Sequence, residues 1–166
     1  VLDVQSINQL VVRRTDIYVT LGDVRRITAA SSARDFTEFR PPADPAYDQT
    51  EEDPYWQKHV FRSDGKRRVV RHQANGDCWF LGSHGLHAGE MTVRPLICRL
   101  YPFDYTADGL KEQPAGGCPV ELLQRGENLL QVLGMDRERA EQYRTQLYSE
   151  LAESEDSHAG SESAAA

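Results

Sequence analysis

The sequence predicts a small α+β domain, with short helices around a small antiparallel unit. Three observations carry that expectation. Thr20 and Asp23 stand at the S/T-x-x-D/E spacing of a capping box. Asp64-Gly65 and Asn75-Gly76 are tight-turn signals flanked by short apolar segments. After Asp136, apolar residues recur at helical spacing among charged ones.

Taken in order, "DIYVTLGDVRRITAAS" opens on alternating Ile17 and Val19 and then meets the Thr20 cap. Leu21, Val24 and Ile27 follow at helical spacing and are expected to face the core, with Arg25 and Arg26 turned to solvent. Residues 40–55 contain four prolines and a run of acids, so an irregular connection without helix is expected. "WQKHVFR" and "RRVVRHQ" read as two short strands joined by the "SDGK" turn, and Asn75-Gly76 leads into "DCWFL".

From Pro119 onward, Val120, Leu122, Leu123, Leu129, Leu130 and Leu133 predict a helix that Gly134 interrupts. Asp136 is then the expected N-cap of an amphipathic helix whose stripe is Ala140, Tyr143, Leu147 and Leu151, packing on the domain or on a protein partner. At 166 residues and 39% apolar the chain is about one domain long. Residues 1–152 are expected to form it, and the small, acidic segment 153–166 to be a disordered tail.

A net charge of −7 argues against a nucleic-acid partner, which would favour a basic face. No run of about eighteen apolar residues occurs and the first residues lack a signal-peptide pattern, so neither a membrane partner nor export is expected. Three cysteines cannot all pair with one another, which favours a reducing, cytoplasmic setting.

Those cysteines sit beside turns: Cys78 after Asn75-Gly76, Cys98 after Arg94-Pro95, and Cys118 after Gly116-Gly117. Turns allow several thiolates to converge on one ion. "RPLICRLYPFDY", residues 94–105, reads as one loop in which Arg94 and Arg99 flank Cys98 and offset the charge of a thiolate-rich centre. Pro95 and Pro102 would fix its backbone, and Tyr101 and Phe103 would shield it. The competing reading pairs the arginines with Asp104 or another acid and puts the aromatic rings in an ordinary core. His84 and His87, in "GSHGLHAG", are either the fourth ligand of a Cys₃His zinc site or exposed loop residues. A three-cysteine iron or iron–sulfur centre uses the same thiolates.

The succession "VTLGDVRRI", "GDCWFL", "RPLICRLYPFDY" and "GGCPV" resembles the YkgJ-type family of small proteins with a zinc- or iron-chelating cysteine cluster. The match spans roughly Thr15 to Val120, and R-P-x-x-C-R-x-Y-P-F is its most specific element. The resemblance implies that Cys78, Cys98 and Cys118 occupy three of the family's cysteine positions. Val11 and Val12 stand where the family has a CysCys pair, and Ala88 or Gly89 where it has a cysteine before Arg94. A reduced cluster is therefore expected.

Three functions follow. The first is a metal-binding protein of this type holding zinc or iron. The second is a metal-free relative acting as an interaction subunit. The third is a thiol or metal-dependent enzyme using Cys98 as a low-pKa thiolate.

Overall fold

The computed structural model describes residues 16–31, 33–44, 52–80, 93–115 and 123–159. The capping box forms as the spacing predicts: Asp23 N–H donates to Thr20 Oγ1 at 2.9 Å, and Thr20 N–H donates to Asp23 Oδ2 at 3.1 Å. Helix α1, Leu21–Ser31, starts there. Ile27 is fully buried, whereas Leu21 and Val24 are only partly so. Arg25 is exposed, but Arg26 is half-buried in ion pairs with Asp23 and Glu150, so the expectation that it faces solvent fails.

Strand β1, Thr37–Arg40, pairs antiparallel with β2, Arg67–Val70, in the register Thr37↔Val70 to Arg40↔Arg67. The extended segment at Ile17–Val19 flanks β2 on its other side through Val19 N–H to Arg68 O (3.1 Å) and Val70 N–H to Ile17 O (2.8 Å). β2 therefore lies between two neighbours, which accounts for the burial of Val69 and Val70.

The strand expected at "WQKHVFR" is instead helix α2, Pro54–Val60. Asp53 Oδ1 accepts from Trp56 N–H at 3.0 Å and Pro54 occupies the first turn, an Asp-Pro start that overrides the short apolar pattern. The Asp64-Gly65 turn forms, with Gly65 at φ 74°. It joins α2 to β2 rather than two paired strands. The Asn75-Gly76 turn also forms: Gln73 N–H donates to Asp77 O at 2.7 Å, and His72 pairs with Cys78 beyond it.

"RPLICRLYPFDY" is more ordered than one loop. It contains helix α3, Leu96–Leu100, and, after a cis Tyr101-Pro102 peptide, strand β3, Phe103–Thr106. β3 turns through Ala107-Asp108 into β4, Gly109–Pro114, with Thr106↔Gly109 and Tyr105↔Leu110 in register. Helix α4, Leu129–Leu133, is shorter than expected. Its N-terminus is Asn128, whose side chain accepts from Leu130 N–H, and Gly134 ends it in the left-handed conformation at φ 62°. Residues 116–122, where the helix was expected to begin, lie outside the described ones, and 123–128 are turns rather than helix.

Asp136 caps the last helix, α5, Arg137–Ala159, accepting from Arg139 N–H at 2.7 Å. The helix runs on past residue 153; residues 160–166 lie outside the described ones. Ala140, Leu147 and Leu151 are fully buried, and Tyr143 packs against the same core. α5 packs on α3, α2, β4 and α1. The apolar stripe expected to meet either the domain or a partner thus faces its own domain.

The result is a small α+β domain with two two-stranded antiparallel sheets among the described residues. Leu96 and Leu100, four apart on α3, enter the main core with Leu147 and Leu151. Each such buried leucine contributes about 1.5–3 kcal/mol. Ile97 touches both this core and a smaller cluster of Ile17, Val19, Val70 and Cys78, against which Cys98 packs. One helical turn joins the two cores. No helix is long and apolar enough to cross a membrane, among the described residues.

Candidate metal centre

Helix α3 carries Cys98, and its N-terminus is secured from a distance. Pro95 precedes it and provides no side-chain cap. Asp23 substitutes: its Oδ1 accepts from Leu96 N–H at 3.1 Å, and the carboxylate also takes Thr20 N–H and Arg26 Nη2 (2.7 Å). Asp23 is fully buried. A buried carboxylate is tolerated only when its oxygens are matched in this way. Burial raises the Asp23 pKa above the ordinary value, with the Arg26 and Thr20 hydrogen bonds pulling against it.

The network continues into α5. Arg26 Nη1 donates to Glu150 Oε1 at 2.5 Å, and the Thr20 hydroxyl donates to Glu150 Oε2. Burial pushes Glu150 up, but the hydrogen bonds from Arg26, Thr20 and Gln146 outweigh it and hold the carboxyl below its ordinary value. Gly22 allows the approach, since a Cβ there would collide with Glu150 Oε2.

Cys98 sits in the first turn of α3, with Cys98 N–H donating to Pro95 O at 2.9 Å. Cys78 follows the Asn75-Gly76 turn, 4% exposed. The two meet in the smaller cluster among Ile17, Val19, Val70 and Ile97. Both are free thiols. Burial first, then the neighbouring Cys78, push the Cys98 thiol up to about 12 against the pull of Arg94 and Arg99. Burial likewise raises Cys78, opposed by a hydrogen bond from the Phe80 backbone. The flanking arginines pull the thiol in the expected direction, but burial outweighs them and holds it above its ordinary value.

The arginines also have other tasks. Arg99 is buried, donates from Nε to Arg94 O at 2.7 Å, and lays its guanidinium 5.5 Å from the centre of the Tyr143 ring on α5. Neither arginine pairs with Asp104, whose carboxylate meets Lys111 Nζ at 3.0 Å. Phe103 packs against the main core rather than the cysteine cluster.

Of the residues expected to bind metal, Cys78 and Cys98 converge. Cys118, His84 and His87 lie outside the described residues. Among the described residues no three His, Cys, Asp or Glu side chains come together as a metal-binding group. The two thiols supply half of a tetrahedral donor set. In sequence, Cys78 lies three residues before the segment 81–92 that carries His84 and His87, and Cys98 six residues after it. Soft sulfur donors of this kind are compatible in type with zinc or iron, but two of them are fewer than a structural site takes.

No protein-family model matches the chain, and comparison with curated proteins and with solved structures finds no match.

The side chains that position α3 come from remote parts of the chain. Asp23 was visible as a cap, but its bond to Leu96, 73 residues away, was not. Glu150 reads as an ordinary surface acid of an amphipathic helix. Asp53 lies in an acidic, proline-rich stretch, yet its Oδ2 accepts from Ala107 N–H at 3.0 Å and from the Tyr148 hydroxyl. Its Asp-Pro pair was the available signal for α2.

Proposed function

We propose that this chain is a metal-binding protein of the YkgJ type, in which Cys78, Cys98 and Cys118 hold zinc or an iron centre. The observation that supports the reading is the meeting of Cys78 and Cys98 in one apolar cluster, from segments twenty residues apart in sequence. His84 and His87 are the candidates for a fourth ligand.

Cys78, Cys98 and Cys118 would hold the ion, which when bound would supply the positive charge that stabilises buried thiolates and would cross-link the chain segments. The protein's own contribution is positional. Asp23 fixes the start of α3, and the Asn75-Gly76 turn presents Cys78 to it. Ile17, Val19 and Val70 limit water around the sulfurs. Arg94 acts on the Cys98 charge from the loop side, in the direction that favours thiolate.

Cobalt(II) substitution tests the reading. Thiolate coordination gives intense sulfur-to-cobalt charge-transfer absorption in the wild type, reduced in Cys78→Ser and in Cys98→Ser. A wild-type protein that takes up no cobalt, zinc or iron would overturn it.

A further inference from the structure

Strand β1 leaves one edge unpaired among the described residues, since β2 occupies only its other side. Arg71 N–H donates to Phe36 O at 2.8 Å, which sets the alternation of this antiparallel ladder. Glu38 and Arg40 therefore turn their backbone groups toward β2, and Thr37 and Phe39 turn theirs away from it. The bonds from Val19 N–H to Arg68 O and from Val70 N–H to Ile17 O, on the far side of β2, follow the same alternation. Thr37 O is taken by Arg71 Nε at 3.0 Å. The Phe39 N–H and C=O have no partner among the described residues, so one donor and one acceptor stand where a further strand would pair.

The side chains at this edge are cations gathered about a ring. Phe39 is 42% exposed, and among the described residues it is the one large apolar side chain on the surface. It lies opposite Arg68 on β2, in the kind of pair whose backbones do not bond and whose side chains come closest. The Arg62 guanidinium carbon lies 4.5 Å from the ring centre and that of Arg68 5.1 Å. The side chains of Arg62 and Lys66 are about half exposed. Asp64 is the acid beside them, but it stands 3.7 Å from Arg62 and 3.8 Å from Lys66, and its Oδ1 already accepts from Lys66 N–H at 3.1 Å. Arg68 has no carboxylate partner among the described residues. Three cations thus share one loosely held acid, in a chain whose net charge is −7.

We propose that the free edge of β1 docks an extended acidic peptide, added as a strand beside Phe39. The peptide main chain takes the Phe39 N–H and C=O, an apolar side chain packs on the ring, and carboxylates two residues to either side reach Arg62 and Arg68. Charge selects this partner. A second copy of the chain pairing through the same edge would set these arginines against their own counterparts, a repulsive contact. A nucleic-acid backbone does not present alternating donors and acceptors at strand spacing, so it leaves the Phe39 groups unused. Neither cysteine takes part, and the site is independent of metal binding.

The probe is a dye-labelled peptide, Glu-Thr-Glu-Thr-Val-Thr-Glu-Thr-Glu, compared by fluorescence anisotropy with the same peptide carrying Gln or Lys in place of Glu. Saturable binding of the Glu peptide, about tenfold tighter than either of the others at low salt and weakened by added salt, is the expected result. Arg62→Gln and Arg68→Gln, each checked for folding by circular dichroism, are expected to weaken it roughly three- to fivefold, and Phe39→Ser by a similar factor. Strand addition is read separately: exchange of the Phe39 amide hydrogen is expected to slow by about tenfold or more at saturating peptide. No saturable change with the Glu peptide overturns the site. Equal binding of the Lys peptide, or unchanged affinity in both folded arginine variants, removes the acidic assignment. Binding that leaves Phe39 exchange unaltered, or tighter binding of a thymidine oligonucleotide of equal charge, rules out a peptide strand.

Discussion

Asp23 Oδ1 accepts a hydrogen bond from the backbone N–H of Leu96 at 3.1 Å, so the capping-box acid of α1 also caps α3. One buried carboxylate thereby sets the start of the helix that carries Cys98, in the place where Pro95 leaves it without a side-chain cap. Asp23→Ala leaves the Leu96 and Thr20 N–H groups and Arg26 without their shared acceptor. A loss of about 3–5 kcal/mol is expected, the scale for breaking a buried charged pair. Asp23→Asn keeps one acceptor and is expected to cost less, about 1–3 kcal/mol. Urea denaturation of both variants measures the order.

Glu150 gives the fold an acid limb. Its native pKa is held below the ordinary value, so its contribution is fully present above pH ~4.3 and is lost as pH falls through that lowered native value. Asp23, raised by burial, works in the opposite sense and gains as pH falls through its own raised value. Between pH ~5 and ~3, Glu150→Gln is therefore expected to lose stability less steeply than the wild type while starting from a lower value. Denaturation midpoints across that window, with the slopes compared, decide it. An identical slope would show that Glu150 is not the group.

Gly22 owes its identity to Glu150 rather than to a turn. A Cβ there would collide with Glu150 Oε2 and force the carboxylate away from the Thr20 hydroxyl and Arg26. Gly22→Ala is expected to cost about 1–3 kcal/mol despite the better helix propensity of alanine. In a double-mutant cycle with Glu150→Ala the two costs are expected to be coupled by at least about 0.5 kcal/mol. Simple additivity would contradict the contact.

Cys98 separates a ligand from a nucleophile. With its thiol pushed up to about 12, the thiolate fraction at pH 8 is more than about a thousandfold below that of a free cysteine. In metal-free protein, iodoacetamide is expected to label Cys98 far more slowly than a model thiol, read by peptide mass mapping. Labelling as fast as a free thiol would restore the thiol-enzyme reading.

The local signals were legible where they were complete within a few residues. Thr20 with Asp23, Asp64-Gly65, Asn75-Gly76, Gly134 and Asp136 each specify a start, a turn or a stop through their own backbone chemistry. Misreadings arose where partners were remote. Trp56, Val60 and Phe61 look like a strand if Asp53-Pro54 is assigned to the preceding loop. β1 is four residues with a partner thirty positions on, too short to show a period. Arg26 looks solvated until α5 brings Glu150 beside it. In the candidate site, the turn beside Cys78 was readable, whereas the convergence with Cys98 depends on Asp23 reaching Leu96. The flanking arginines misled because adjacency in sequence says nothing of desolvation, which dominates the Cys98 thiol.

The most direct test of the central claim is elemental analysis of anaerobically purified protein, alongside intact mass and the UV–visible spectrum. The account predicts about one zinc per chain without colour, or iron with charge-transfer bands, and loss of that metal in Cys78→Ser and Cys98→Ser. A folded protein of the correct mass containing neither metal would contradict it.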